Sequence, residues 1–247
     1  MLADAVRAES YRLAQNRTAL FWSVLFVPLI SLALSTATFV FTKANEAALV
    51  GKLPPELAVR GGPLNLGDVL IDSVGDFANP AVLMFVLIGA ATLYAGDYRW
   101  ETWRLISARN RRTNLVLGKV IVVAGVILAA TLAVFVADVA SGGIRALVFN
   151  RSLAFSVSGE GWADIGQLAL LSWARILQFT MMALLAATVT RSLLAALFAP
   201  LVIGVAQFFL PQLLAQMGVS PDSWIPPLVS PGFATDLIKT AIQGGLP

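Results

Sequence analysis

Five apolar runs divide the chain into segments long enough to matter. They cover about residues 19–42, 78–97, 115–138, 164–189 and 193–210. Each approaches or exceeds the roughly 20 residues that a helix needs to cross a bilayer. The pattern predicts five spanning helices. The first contains Pro28, which predicts a mild kink that a lipid-buried helix tolerates. Asn79-Pro80 signals the start of the second, Gly142-Gly143 the end of the third. Thr190-Arg191-Ser192 makes a very tight break before the fifth, which holds Pro200 and is followed by Pro211.

Between these runs the polar pattern varies. Residues 1–18 place Leu2, Val6, Leu13 and Leu20 at helix-like spacing among Arg7, Arg12 and Arg17. This predicts a short helix lying in the membrane interface, with a frayed polar tail as the other reading. Residues 43–77 are rich in Pro, Gly and acids, with room for a short helix but no span. Residues 139–163 form a second loop. Residues 212–247 carry Pro211, Pro221, Pro226, Pro227 and Pro231 around them and predict at most two short helices, near 212–217 and 233–243.

Composition agrees with lipid as the solvent. Of 247 residues, 58% are apolar and only 13% are charged, about half the usual charged share of a soluble domain. The chain has no cysteine, which excludes structural disulfides, Cys-based metal sites and thiol catalysis. It has no histidine either, which removes the commonest general base and metal ligand. The first apolar run is too long for a signal-peptide core and is read as a retained span.

Charge placement sets the orientation. The segment from 97 to 119 carries Arg99, Arg104, Arg109, Arg111, Arg112 and Lys119 against Asp97 and Glu101. Residues 43–77 instead set Lys43, Lys52 and Arg60 against Glu46, Glu56, Asp68, Asp72 and Asp76. Positive segments stay inside, so the N-terminus and 97–119 are expected in the cytoplasm. The loops at 43–77, 139–163 and 212–247 are then external.

The 97–119 segment is too long and too structured for a simple turn. Trp100, Trp103, Leu105 and Ile106 alternate with charge. One reading is a basic, Trp-anchored interfacial turn that fixes topology. The other is a short helix presenting aromatic and basic groups to a cytoplasmic partner. The segment resembles the signature of the type-2 ABC exporter permeases. That signature runs from an acid at the end of the second span, through Gly-Thr and an Arg, to Gly-Lys opening the third. Asp97, Thr102, Arg104, Leu105, Arg112, Leu117 and Lys119 stand at matching spacing. Glu101 replaces the usual Gly, and Asn110 or its neighbours a common Pro. The interfacial helix, the loop after the first span, the tight turn at 190–192 and the Pro-rich end are also similar to that family.

The resemblance implies an all-α integral membrane permease domain over 1–247, with 97–114 as the coupling segment. Asp97, Arg99, Trp100, Glu101, Thr102, Trp103, Arg104, Arg112 and Lys119 would serve contact with a cytoplasmic ATPase. Asp97 and Glu101 would hold the coupling helix against the N-terminal helix or the ATPase. It implies a second copy or a related permease as dimer partner, a surround of membrane lipids with no nucleic acid, and residence in a bacterial inner membrane. Six spans are the family layout, so a last helix is expected beyond Gly244–Pro247. The chain is not expected to be an enzyme by itself. Its Gly-Lys pairs, Gly51-Lys52-Leu53 and Gly118-Lys119-Val120, lack the upstream Gly and the hydroxyl of a P-loop. ATP and magnesium would bind in the partner, and no cofactor is expected here.

Within the spans, Arg175 is the residue hardest to place in lipid. It either lines a substrate path or pairs with an acid such as Asp138, or it snorkels to headgroups beside Trp173. Ser172 and Gln178, three residues to either side, suggest an inward polar stripe. Gln207 reads as an interhelical hydrogen bond ahead of a ligand contact. The candidate path is therefore Arg175, Gln178 and Gln207. The scarcity of polar residues in the spans points to an amphipathic or lipid-like substrate, with export implied by the family. A secondary transporter or channel without an ATPase, and a membrane assembly subunit, are the alternatives. The spans hold few acids and no repeat, which counts against ion coupling.

Overall fold

A computed structural model describes residues 2–49, 62–99, 111–220 and 223–244. Helix α1 (Leu2–Gln15) precedes α2 (Arg17–Ala44). On the opposite face, strand β1 (Leu64–Asn65) leads into α3 (Leu66–Asp76). Then come α4 (Pro80–Arg99), α5 (Arg112–Val148), strand β2 (Leu153–Ala154), α6 (Gly159–Thr190) and α7 (Leu193–Gln216). Two short helices follow, α8 (Ile225–Val229) and α9 (Pro231–Ile242). Among the described residues, α2, α4, α5, α6 and α7 are long and apolar enough to cross a membrane. The protein is an all-α protein with five such helices.

The central helix is α4. It packs against α2, α5, α6 and α7, and Val86, Leu87, Ala90, Ala91, Tyr94 and Ala95 are almost wholly buried. A helix that is apolar all round belongs in a core or in lipid. α4 takes the first course. α7, more apolar still, leaves its surface bare: Leu194, Phe198, Val202, Val205, Phe208 and Phe209 are all at least half exposed.

Several boundaries differ from the sequence expectation. α2 is longer than 19–42, and its second turn is π-helical over Phe21–Leu25, with the Phe26 N–H reaching the Phe21 carbonyl. The proline explains why. Pro28 has no N–H to donate, and its ring crowds the carbonyl of Val24. A widened turn at Val24 absorbs both problems. α5 does not end at Gly142-Gly143 but continues to Val148. Leu64 and Leu66 pack over Gly142, and that burial offsets the helix cost of glycine, about 1 kcal/mol. Much of 139–163 is therefore helix. α6 starts at Gly159, five residues before the apolar run, because Ser158 caps it by accepting the Gly161 N–H at 2.9 Å. α7 passes through Pro211 to Gln216, so the separate short helix near 212–217 is its last turn. The predicted helix near 233–243 is α9. Asn79 behaves as read, its Oδ1 accepting the Val82 N–H at 3.0 Å in front of Pro80.

At 1.5 Å per residue, α5 is about 55 Å long and α6 about 48 Å. Both outrun a hydrocarbon core of about 30 Å. Their excess, with α3, α9 and the two strands, builds a cap on the face opposite the N-terminus. The strands pair parallel, Leu64 with Leu153 and Asn65 with Ala154. Asn65 staples the junction. It accepts the N–H groups of Gly67 and Ser156 and donates to the Ser156 carbonyl.

Candidate functional site

Three polar constellations stand out in an otherwise apolar bundle. The first lies where α1 crosses the ends of α4 and α5. Asp97, the third residue from the end of α4, is 1% exposed, Lys119 is 3% and Glu9 is 4%. Lys119 Nζ lies 2.8 Å from Asp97 Oδ2 and 2.9 Å from Glu9 Oε1. It also donates to the Leu93 carbonyl at 2.8 Å. Three acceptors thus surround a three-proton ammonium. Arg12 Nη1 lies 2.6 Å from Asp97 Oδ1 and 3.3 Å from Glu9 Oε1. Two carboxylates and two cations form one network, buried except for Arg12, whose side chain is 40% exposed.

Backbone approach makes the network possible. A Cβ on Gly118 would come within 3.0 Å of the Ala5 Cβ, so the missing side chain lets α1 lie directly on α5. The face that α1 buries is Ala5, Glu9 and Leu13. It is rotated from the face expected from Leu2, Val6 and Leu13, because Lys119 and Asp97 draw Glu9 inward. Leu2 is exposed.

Of the residues proposed for ATPase contact, Asp97 and Lys119 therefore meet each other and α1. Arg112 is exposed in the first turn of α5. Arg99 ends α4, and nothing is described of its side chain. Trp100, Glu101, Thr102, Trp103 and Arg104 lie outside the described residues. Glu9 and Arg12 were missed as site residues. Their i, i+3 spacing on a helix with an apolar stripe was the available signal.

The second constellation gathers Arg175, Gln178 and Gln207. Arg175 Nη2 donates to Gln207 Oε1 at 2.8 Å, and Nη1 to Gln178 Oε1 at 3.2 Å. The guanidinium also sits 4.7 Å over the Phe179 ring, a cation–π contact. The expected pairing with Asp138 is incorrect. Asp138 instead accepts from Ser73 Oγ at 2.5 Å. Trp173, two residues before Arg175, packs on the core. Arg175 faces the start of α9, where Gly232 leaves only enough room for Nη2: a Cβ there would come within 2.9 Å of it. Ser230 Oγ donates to the Gln207 carbonyl at 3.0 Å. The cluster fastens the C-terminal helices to α6 and α7.

The third is a cavity of about 370 Å³ on the capped face, enclosed by α2, α3, α5 and the start of α4. Its polar lining includes Asp72, Asp76, Asp138, Ser31, Ser141 and Arg145. Asp76 pairs with Lys239 of α9. Asp72 makes no hydrogen bond or ion pair with any described residue. Partial desolvation, with Asp76 and Asp68 nearby, raises its carboxyl above the usual range, and Lys239 offsets this in part. Among the described residues, no group of acids is arranged to hold a metal ion. The sequence showed Asp72 and Asp76 only as a loop's negative charge, and Asp138 only as a candidate partner of Arg175. Their convergence depends on α3 folding back against α5.

Compared with known protein families, curated proteins and solved structures, the chain matches none.

Proposed function

We propose that the chain is the transmembrane permease subunit of an ATP-driven transporter, exporting an amphipathic or lipid-like substrate, with hydrolysis supplied by a separate P-loop ATPase. The observation that carries this reading is the buried Glu9–Arg12–Asp97–Lys119 network. Desolvating Glu9, Asp97 and Lys119 costs several kcal/mol for each ion, regained only through close mutual pairing. A turn that merely fixes topology has no need of such a lock. Here the lock ties α1 to both roots of the 97–119 segment. A push on residues 100–110 would reach α4 and α5 together, rather than being lost in a loose loop. ATP-driven closure of an ATPase pair demands that property of its coupling element.

On this reading the N-terminus and the 97–119 segment face the cytoplasm of a bacterial inner membrane, and the capped face is external. The bare apolar surfaces of α2 and α7 face lipid and a second permease copy or a related one. Replacing Glu101 and Arg104 together with Ala tests the coupling role. The expected result is loss of ATPase co-purification and of substrate-stimulated hydrolysis. Unchanged values for both would remove the assignment.

A further inference from the structure

After α7 the chain turns back along its own helix. α7 runs to Gln216, yet Ser230, fourteen residues on, is wholly buried and donates through Oγ to the carbonyl of Gln207 at 3.0 Å. Nine residues of α7 separate those two levels, a return of about 14 Å. α9 then climbs again beside α6. At its start, a Cβ on Gly232 would stand 2.9 Å from Arg175 Nη2; further on, a Cβ on Gly75 would touch both Lys239 Cε and Leu168 Cδ1. Seven residues separate Gly232 from Lys239, and seven separate Arg175 from Leu168. α9 therefore runs along the bundle axis rather than flat across its end. Counted from the 190–192 turn at the α1 end, Arg175 and Gln207 each lie fifteen residues along their helices, about 22 Å. A hydrocarbon core is about 30 Å thick, so the bend at Ser230 falls about 8 Å inside its far boundary.

The bend has the chemistry that such a depth demands. Hydrocarbon offers no partner to a free N–H. Pro226, Pro227 and Pro231 have none to satisfy. The Ser230 N–H donates to the Pro226 carbonyl at 2.9 Å, and Ser230 Oγ accepts the Phe233 N–H at 3.4 Å. The exposed surface is apolar: Trp224 is 72% exposed, Leu228 68%, Val229 49% and Ile238 49%. α8 and α9 pack against α7, whose own surface at Phe208, Phe209 and Leu213 is bare. The charges of α9 come late in it. Asp236 stands four residues beyond Gly232 and Lys239 seven, near and past the boundary. We propose that α8 and α9 form a re-entrant hairpin that dips into the leaflet on the capped face and turns at Ser230 and Pro231, its exposed apolar surface covered by lipid acyl chains. Arg175 and Gln207 hold the bend at that depth. The proposal rests on the membrane placement of the five long helices and on nothing about an ATPase.

The test is nitroxide accessibility on the full chain in phosphatidylcholine nanodiscs. Leu228→Cys, Val229→Cys, Leu237→Cys and Ile238→Cys each carry one label, all at exposed positions of a chain without native cysteine. Met217→Cys marks the end of α7, and Val202→Cys, at a position 65% exposed within it, is the lipid reference. Collision with oxygen reports hydrocarbon; collision with a neutral nickel chelate reports water. Depth should rise and then fall along the chain. Nickel access is expected to be high at residue 217, lowest at 228 and 229, and partly restored at 237 and 238. A flat profile from 228 to 238 would overturn the proposal in favour of a helix lying in the interface. Nickel access at all four would overturn it in favour of an aqueous cap. Labels shielded from both reagents would put a protein surface, such as a second copy, where lipid is proposed, and overturn it as well. Nickel access at residue 202 would overturn the membrane placement itself, whereas a lipid-like 202 beside aqueous 228 and 229 would overturn the hairpin alone. No ATPase enters the measurement, so loss of the permease reading would leave its result standing.

Discussion

Lys119 shows how one side chain sets the energetics of a region. Buried in an apolar bundle, it is surrounded by acceptors: Asp97, Glu9 and the Leu93 carbonyl all lie within 2.9 Å of Nζ. Removing it would leave two carboxylates for one half-exposed arginine. Breaking a buried pair from one side costs about 3–5 kcal/mol. Lys119→Met should therefore lower the thermal unfolding midpoint sharply and free α1 to early proteolysis. Adding Asp97→Leu to that variant should recover part of the loss, since it removes the stranded charge. A double variant no better than the single would show that the network is worth less than its geometry implies. Arg175 follows the same logic at smaller scale. Its partners are glutamine amides and an aromatic face, and through Gln207 it joins α6 to α7.

At the scale of elements, glycines and prolines act where helices meet, more than where they end. Gly142 sits inside α5 because Leu66 packs onto it. Pro28 and Pro200 sit inside spanning helices, and the π-helical turn before Pro28 shows the accommodation. Gly67 is the tightest case. A Cβ there would stand 2.2 Å from the backbone carbonyl oxygen of Ser156, and backbone cannot step aside as a flexible side chain does. Gly67→Ala should separate the β1–α3 junction from β2 at a cost of about 2 kcal/mol. Limited proteolysis around residues 62–67 and a lowered unfolding midpoint would report it. An unchanged cleavage pattern would mean the cap does not depend on that contact.

The whole molecule is polarised along the bundle axis. One face carries α1 and the charge lock; the other carries the cap and the cavity. The proposed orientation can be read directly, because the chain has no cysteine of its own. Single substitutions Ser10→Cys and Ser152→Cys fall at exposed positions on opposite faces. In intact cells a membrane-impermeant thiol reagent should label the second and spare the first. The reverse pattern would invert the molecule and place the 97–119 segment out of reach of any cytoplasmic ATPase.

The sequence by itself determined the number of long apolar helices and the position of α4's start. Each follows from local chemistry: run length, charge scarcity and the Asn79-Pro80 signal. It also marked Asp97, Lys119, Arg175, Gln178 and Gln207, since a polar group in an apolar run is visible without a fold. Which partner each one takes was decided only by tertiary structure. Glu9 reaches Lys119 across more than a hundred residues, and Asp138 meets Ser73 rather than Arg175 because α3 folds back onto α5. Helix ends were likewise settled by contacts: Gly142-Gly143 reads as a stop until Leu64 and Leu66 cover it. The cavity is the plainest example. Its walls come from segments far apart in the chain, so it exists only once α2, α3 and α5 stand side by side.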